Sequence, residues 1–226
     1  MSPACQEQKG KLESISVVIP TLNAARLLPP LLAQLGGLGE MILADGGSAE
    51  APEGGRLILA PRGRGFQLAA GATAARGEWL LFLHADTRLG AGWEEALLAA
   101  LEHPGQAHYF RFALDDPSPQ ARRLEAAVAW RCRWMALPYG DQGLLISRAL
   151  YDALGGFRPL PLMEDVDLVR RLGRARLAPM AASAITSAER WQRDGWWRRS
   201  ARNLLTLSLY FAGVPPERLA RFYARR

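Results

Sequence analysis

Trp79-Leu80-Leu81-Phe82-Leu83-His84-Ala85-Asp86 decides how the rest of the chain is read. Five large apolar residues run without a break and stop at a His-Ala-Asp triplet. A short continuous apolar run is the pattern of a strand covered on both faces, as in a parallel sheet. Open α/β sheets place their ligands at the carboxyl ends of such strands. Asp86 is therefore expected at a ligand edge, where a carboxylate suits a divalent cation held against a phosphate. The same aspartate equally suits a plain cap, since Thr87-Arg88-Leu89-Gly90 reads as a turn.

Upstream, Ile15-Ser16-Val17-Val18-Ile19 is β-branched and bounded by Pro20, which predicts a first strand. Thr21-Leu22-Asn23 follows as a loop that caps a helix over 24–35, with Pro29 and Pro30 in its middle and Gly36-Gly37 at its end. Glu40-Met41-Ile42-Leu43-Ala44 is a second strand that stops at Asp45-Gly46-Gly47-Ser48, and Leu57-Ile58-Leu59 is a third. Gly63-Arg64-Gly65 opens a helix over 66–76 with Gly77 as its C-cap, and 93–101 is another helix. Strand and helix alternate, which predicts an α/β fold with a parallel sheet flanked by helices on both faces. Beyond it, strands are expected over 107–114 and 143–147. Helices are expected over 124–135, 148–154, 164–172, 196–212 and 216–223, with Gly155-Gly156-Phe157 as a break.

The chain has 226 residues, of which 49% are hydrophobic, enough for a sizeable core. No repeat or low-complexity linker divides it, so 1–226 is expected to be a single domain. A nucleotide-binding half would span 15–105, an acceptor and catalytic half 106–195, and terminal helices 196–226. Cys5 and Cys132 lack metal-ligand spacing and form no disulfide framework, so a reducing cytoplasm is expected. Met1 to Lys11 is polar and does not read as a signal peptide. The apolar run over 204–212 is far short of the ~20 residues that span a bilayer.

The net charge of +6 is uneven: residues 1–120 carry 9 basic and 13 acidic side chains, residues 121–226 carry 19 and 9. The basic half suits phosphates or an anionic surface, although arginine-rich usage also follows genome composition alone. No nucleic-acid motif is present and aromatics are not interleaved at stacking spacing, so no nucleic-acid partner is expected.

Several polar clusters follow strand ends or open helices. Asp45 precedes two glycines, where backbone approaches a ligand closely and a carboxylate can accept hydrogen bonds from a base or ribose. Asp-Gly is also a common turn dipeptide. Arg62-Gly63-Arg64-Gly65-Phe66 is no dinucleotide fingerprint, because position 68 is Leu68 where that motif needs glycine. It remains a doubly basic glycine turn opening a helix, which suits a diphosphate or a mere surface loop. Glu164-Asp165-x-Asp167 puts carboxylates at a helix start, where one can act as a general base or simply favour the macrodipole. Gly140-Asp141-Gln142-Gly143 is a polar turn before an apolar strand, suited to an acceptor pocket or to turning alone.

In order and rough spacing these elements resemble glycosyltransferase family 2. Ile15 to Asn23 looks like its opening strand and loop, and Asp45-Gly46-Gly47-Ser48 like its Asp-Gly/Asp-Ser turn. His84-Ala85-Asp86 resembles its Asp-x-Asp metal motif with histidine first. Glu164-Asp165 matches its Glu-Asp pair. Ser187-Ala188-Glu189-Arg190-Trp191 is similar to its Gln-x-x-Arg-Trp element, with serine for glutamine. The Gly-Arg-Gly loop and the Leu-His-Ala-Asp ending resemble a bacterial subgroup of small, single-domain members. The resemblance covers residues 15 to 191.

It implies the GT-A fold, a nucleotide-diphosphate sugar donor, a divalent metal (Mn2+ or Mg2+) and inversion at the anomeric carbon. The acceptor is an unidentified hydroxyl. On this reading Asp165 is the base with Glu164 beside it, and Asp86 and His84 face the metal. Pro20, Thr21, Asn23 and Asp45 attend the donor, as do Arg62, Arg64, Gln67 and Ala85. Asp141, Gln142, Arg190 and Trp191 stand on the acceptor or leaving-group side. Without long membrane segments, processive polymer synthesis is not expected. Two rivals stand beside it. A nucleotidyltransferase would carry its basic glycine loop after the first strand, where this chain has Pro20-Thr21-Leu22-Asn23. A non-catalytic basic binding module would depend on salt and ignore metal and nucleotide sugar.

Trp191, Trp196 and Trp197 lie among Arg190, Arg193, Arg198, Arg199 and Arg202, just before the apolar run at 204–212. That composition suits peripheral contact with the inner membrane surface. It suits equally well a helix docked on the core.

Overall fold

β1 (Ile15–Thr21) starts the sheet, preceded by helix α1 (Pro3–Glu13), in a computed structural model that describes residues 3–224. Met1, Ser2 and the last two residues lie outside the described residues, so the ends of the expected 1–226 domain and of the polar start at Met1 do too. After β1 come α2 (Leu28–Gln34), β2 (Glu40–Asp45), β3 (Arg56–Leu59), α3 (Arg64–Ala74) and β4 (Trp79–Phe82). The chain continues through β5 (Arg88–Leu89), α4 (Trp93–Leu101), β6 (Ala107–Leu114), α5 (Pro119–Met135), β7 (Leu144–Ser147), α6 (Arg148–Ala153) and α7 (Glu164–Leu172). It closes with β8 (Leu177–Thr186), α8 (Glu189–Asp194), α9 (Trp196–Phe211) and α10 (Pro216–Ala224).

The eight strands form one mostly parallel sheet in the order β3-β2-β1-β4-β7-β6-β8-β5. β3, β2, β1 and β4 run parallel. β7 runs against both β4 and β6, β8 is parallel to β6, and β5 runs against β8. Successive strand residues face opposite sides. Val17, Ile19, Leu43 and Leu81 therefore pack with Leu31 of α2 and Leu97 of α4. Val18, Ile42, Leu80 and Phe82 pack with Leu68 of α3 and Leu168 of α7 on the other side. The expected cover on both faces is what the structure has.

Three local expectations change. Pro29 and Pro30 do not interrupt a helix: α2 begins at Leu28 and takes both prolines in its first turn, where a missing N–H costs nothing. Gly77 is not a C-cap, because α3 ends at Ala74 and Ala75 is already extended. Gly77 is instead a close-packing position, where a Cβ would collide with the Ser14 carbonyl and Ser16 Oγ. α5 starts before residue 124, because Ser118 Oγ accepts the Ala121 N–H at 3.2 Å and Pro119 takes the first helical position.

Arg148 replaces the missing cap of α3. Its Nε donates to the Gly77 carbonyl at 2.9 Å, Nη2 to Ala75 at 2.8 Å and Nη1 to Ala72 at 3.4 Å. A guanidinium on the last carbonyls of a helix satisfies orphan acceptors and meets the negative dipole end. Arg148→Met keeps the aliphatic stem and removes these bonds. It is expected to lower unfolding free energy by about 2–3 kcal/mol, given 1.5–3 kcal/mol for a charged hydrogen bond. A urea melt of both proteins measures it, and an unchanged midpoint would reject Arg148 as the tie between α3 and α6.

Candidate active site

β1 and β2 end side by side, and one side chain fastens them. Gln67, buried on α3, donates its amide Nε2 to the Thr21 carbonyl at 2.6 Å and the Ala44 carbonyl at 2.8 Å. Just beyond, Asn23 adopts a left-handed backbone with φ 53°, a conformation asparagine tolerates better than most. Its Oδ1 accepts the Ala49 N–H at 2.9 Å and its own N–H donates to Ser48 Oγ at 2.8 Å. The first loop and the Asp45 turn are thus stitched together.

Asp45 organises that turn. Its carboxylate accepts from Thr21 Oγ1 at 3.0 Å, the Gly47 N–H at 2.9 Å, the Ser48 N–H at 2.8 Å and the Ser48 hydroxyl. Burial pushes its pKa up, but these donors outweigh burial and hold it below the ordinary value of 3.8. Asp45 is 3% exposed and stands behind the cleft wall, so the structure does not bring it to the cleft with the other donor-side candidates.

The cleft itself encloses about 610 Å³ at the carboxyl edge of the parallel strands. Pro20, Thr21 and Asn23 line one side, with Gln67 behind them. Arg62, Gly63 and Arg64 bring the N-terminus of α3 to the cleft. Gly63, at φ 136°, permits the turn, and Gly65 lies so close to the backbone of Arg158 and Leu160 that no side chain fits. Beyond β4, His84, Ala85 and Asp86 form the floor.

Facing them is the turn Gly140–Gln142, which precedes β7. Because Phe82 pairs with Leu144 in antiparallel register, this turn is brought beside the end of β4. Gly140 donates its N–H to Asp165 Oδ2 at 2.8 Å. A Cβ there would stand 2.9 Å from His84 Nε2 and 3.4 Å from Asp165 Oδ2, so only glycine lets these groups approach. Asp165 also accepts the Val166 N–H at 2.7 Å. α7 starts from Met163, which is held left-handed at φ 66°.

Charge in the cleft is unbalanced. Burial, then the Arg64 guanidinium, lowers the His84 imidazole to about 4, leaving it neutral near pH 7. Burial raises Asp141 to about 6 against the pull of Arg131, and its Oδ1 has no hydrogen-bond partner among the described residues. Burial likewise raises Glu164 to about 7, although Arg64 Nε lies 3.3 Å from its Oε1. Glu164 Oε2 also has no partner among the described residues. Glu164 does not reach the main cleft; it lines a small void of about 30 Å³ behind it with Phe82, Tyr139 and Leu168.

Gln142 is a correction to the sequence reading. Its Nε2 donates to the Phe110 carbonyl at 3.1 Å and its Oε1 accepts from Tyr139 N–H at 3.2 Å and Cys132 Sγ at 3.2 Å. Buried in this way, it shapes the turn and does not line the cleft. Arg190 and Trp191 do line it, carried by α8. Arg190 Nη2 stands 3.3 Å from Asp86 Oδ2. Trp191 packs edge-on against Phe112, with the Arg199 guanidinium 4.9 Å over its ring. It belongs to the core, which removes it from the expected membrane surface.

The structure adds wall residues that sequence reading missed. Tyr139 lies under Arg131 at 3.5 Å, and Arg199, Asn203, Thr206 and Tyr223 come from α9 and α10. The Tyr223 hydroxyl donates to Asn203 Oδ1 at 3.0 Å. Their position depends on folding of the chain end, and no local motif marks it.

The family model described as Glycosyl transferase family 2 matches residues 16–160. The chain belongs to glycosyl transferase family 2. No curated protein matches the sequence. Among solved structures, the chain is similar to glucosyl-3-phosphoglycerate synthase from Mycobacterium tuberculosis in complex with Mn2+, UDP and glucosyl-3-phosphoglycerate. The identity is 19%, the TM-score 0.55, and the match covers 80% of this chain and 74% of that one. It is also similar to the mannosyltransferase PcManGT from Pyrobaculum calidifontis with GDP-Man and Mn2+, at 18% identity and TM-score 0.62, over 90% of this chain and 66% of that one. S. aureus TarS residues 1–349 match at 15% identity and TM-score 0.57, over 91% and 68%. These likenesses show that the glycosyltransferase has the GT-A fold.

The Asp45 network predicts a pH dependence. A carboxyl whose folded pKa is depressed contributes stability in full above its unfolded value and loses it as pH falls through the folded value. Wild type should therefore exceed Asp45→Asn in urea midpoint above pH 3.8, and the gap should close on further acidification. A gap that stays constant with pH would contradict this account.

Proposed function

We propose that this glycosyltransferase moves a sugar, with inversion, from a nucleotide-diphosphate sugar to an acceptor hydroxyl. The observation that carries the reading is the meeting of Asp165, His84 and Asp86 across one cleft from Arg62 and Arg64 at the start of α3. A helix N-terminus with two arginines is an anion site of the kind a diphosphate needs. Solved relatives in fold carry UDP or GDP-Man with Mn2+, which supports the donor class.

Among the described residues no group of three or more His, Cys, Asp or Glu side chains surrounds a single point. The donor set still fits a cation shared with a ligand. Hard divalent cations are often held by one or two carboxylates plus substrate phosphates. Asp86 supplies a carboxylate, His84 a neutral imidazole, and the partnerless Oδ1 of Asp141 a further oxygen nearby. When bound, a divalent cation offsets negative charge on the leaving diphosphate.

The chain's own groups do the rest. Asp165, oriented by the Gly140 and Val166 N–H groups, takes the proton from the acceptor hydroxyl as it attacks the anomeric carbon. Arg64 holds the buried Glu164 beside it and faces the diphosphate. Arg190 on Asp86 adds positive charge at the leaving-group side. Asp45 and Gln67 act by positioning the loops. One domain over 1–226 and a cytoplasmic setting, with cysteine use as its support, complete the proposal.

Asp86→Ala is expected to remove the manganese-dependent part of nucleoside-diphosphate affinity while leaving the fold intact. Calorimetry with UDP and GDP, with and without manganese, measures it. Equal affinities for both proteins in manganese would take the cation away from Asp86.

Asp165→Asn keeps size and removes basicity. Transfer should fall by about 10²–10⁴-fold, the usual loss for acid–base catalysis, with donor affinity largely kept. Product analysis with a panel of nucleotide sugars and hydroxyl acceptors checks it. Near-normal transfer by the variant would place the base elsewhere.

A further inference from the structure

α9 has two opposite faces with different tasks. At 100° per residue, Arg199, Asn203 and Thr206 fall on one side and line the cleft. Trp197, Ala201, Leu204, Ser208 and Phe211 fall on the other and are all exposed. Trp197 is 82% exposed and Leu204 64%, with Leu205 and Phe211 close to half. Soluble helices bury such a stripe; here, among the described residues, no element covers it.

The rim of this stripe is arginine-rich. Arg198 stands beside Trp197 on α9. At the other end the Arg170 guanidinium lies 5.0 Å over the Phe211 ring. One turn further, Arg174 donates to the carbonyls of Arg133 and Trp134, and Arg133 stacks on the exposed Trp134 ring at 5.6 Å. Arg133, Arg170, Arg174 and Arg198 are exposed, and none has a carboxylate within ion-pair distance among the described residues. The neighbouring Arg193, Arg199 and Arg202 share Asp194.

We infer that the outward face of α9, with the adjoining end of α5, docks on an anionic lipid bilayer. Aromatic rings and leucines enter the interface while cations meet headgroups, the composition of a helix lying in the membrane plane. No helix among the described residues is long and apolar enough to cross a membrane. A twofold pairing of two copies through this face would bring like charges together, since such an interface repeats the same patch on both sides. A bilayer bearing anionic lipid satisfies both the apolar stripe and the unpaired arginines. The surface does not depend on which sugar is transferred. It refines the tryptophan-arginine reading of the sequence: Trp197 carries the contact, Trp196 is half-buried and Trp191 is core.

The test is sedimentation of the full chain with vesicles of phosphatidylcholine alone or with a quarter phosphatidylglycerol. Wild type should pellet with the anionic vesicles at low ionic strength, less at about 0.15 M salt where the Debye length is about 8 Å, and not with the neutral ones. Leu204→Ser with Phe211→Ser should weaken binding at least tenfold, and Arg198→Glu about tenfold. Brominated acyl chains should quench tryptophan fluorescence in wild type, a readout that needs no variant. Failure to pellet with anionic vesicles at low salt, or absence of quenching, overturns the proposal. So does binding that the double variant keeps in full. Self-association in the ultracentrifuge, lost in the double variant and unaccompanied by lipid binding, also overturns it and assigns the face to a second copy.

Discussion

β4 has no free edge and no free face. Leu80 and Leu81 are fully buried on opposite sides, β1 runs parallel on one edge and β7 runs antiparallel on the other. This constraint places the site. The parallel set stops at β4, so the chain leaving Leu83 emerges where the strand direction reverses, the position at which open sheets bind ligands. The antiparallel partner also matters. β7 begins where β4 ends, and its preceding turn sets Gly140 and Asp141 against His84, residues more than fifty positions apart in the chain. α7, packed on the sheet through Leu168, brings Asp165 to the same point, where the Gly140 N–H holds it.

The site runs against ordinary stability rules. Buried Glu164 and half-buried Asp141 each carry an enclosed oxygen without a partner among the described residues, and Arg64 compensates only Glu164 at close range. Removing such groups from water costs several kcal/mol unless charge and hydrogen bonds compensate. Met163 adds backbone strain by standing left-handed without being glycine. The surrounding sheet tolerates this because its own polar groups are well matched, as in the four bonds to Asp45 and the two from Gln67. Carboxyls raised by burial, Asp141 in the cleft and Glu164 just behind it, are the pattern of a functional site.

Much of this was legible in the sequence because apolar runs and strand-end polar residues are local signals. The strand-and-helix alternation over the first hundred residues needed no long-range information, and most candidate residues converge on one cleft. What was not legible depends on contacts across the fold. β8 was missing from the sequence reading because Leu177 to Thr186 is mostly small residues with Pro179, and its strand character comes from pairing with β6. α1 was unexpected because it carries little apolar character of its own. Asp45 and Gln142 were read as ligand-facing, yet Asp45 engages its oxygens with its own turn and Thr21, and Gln142 engages its amide with Tyr139, Cys132 and Phe110. Spacing cannot distinguish a carboxylate that meets a ligand from one that holds its own turn.

The family match ends at residue 160, before Glu164, Asp165 and Arg190. The side of the cleft formed by Pro20, Thr21, Asn23, Arg62 and Arg64 therefore lies in the matched segment, and the opposite side combines Tyr139 and Asp141 of that segment with Asp165, Arg190 and the terminal helices beyond it. Arg199, Asn203, Thr206 and Tyr223 close that opposite side from terminal helices whose contacts with the rest of the fold include a small apolar one. Leu207 of α9 packs against Val166 and Val169 of α7. The helix that presents Asp165 is thus the helix on which the terminal wall is seated. A change in how α9 sits reaches the cleft directly through Arg199, Asn203 and Thr206, and reaches α7 through Leu207. Asp165 and the α9 wall thus belong to elements joined by one apolar cluster, while the ends of β1 and β2 are held separately by Gln67 and Asp45. Under the proposed function, such a division lets the acceptor side vary without disturbing the strand ends assigned to the donor.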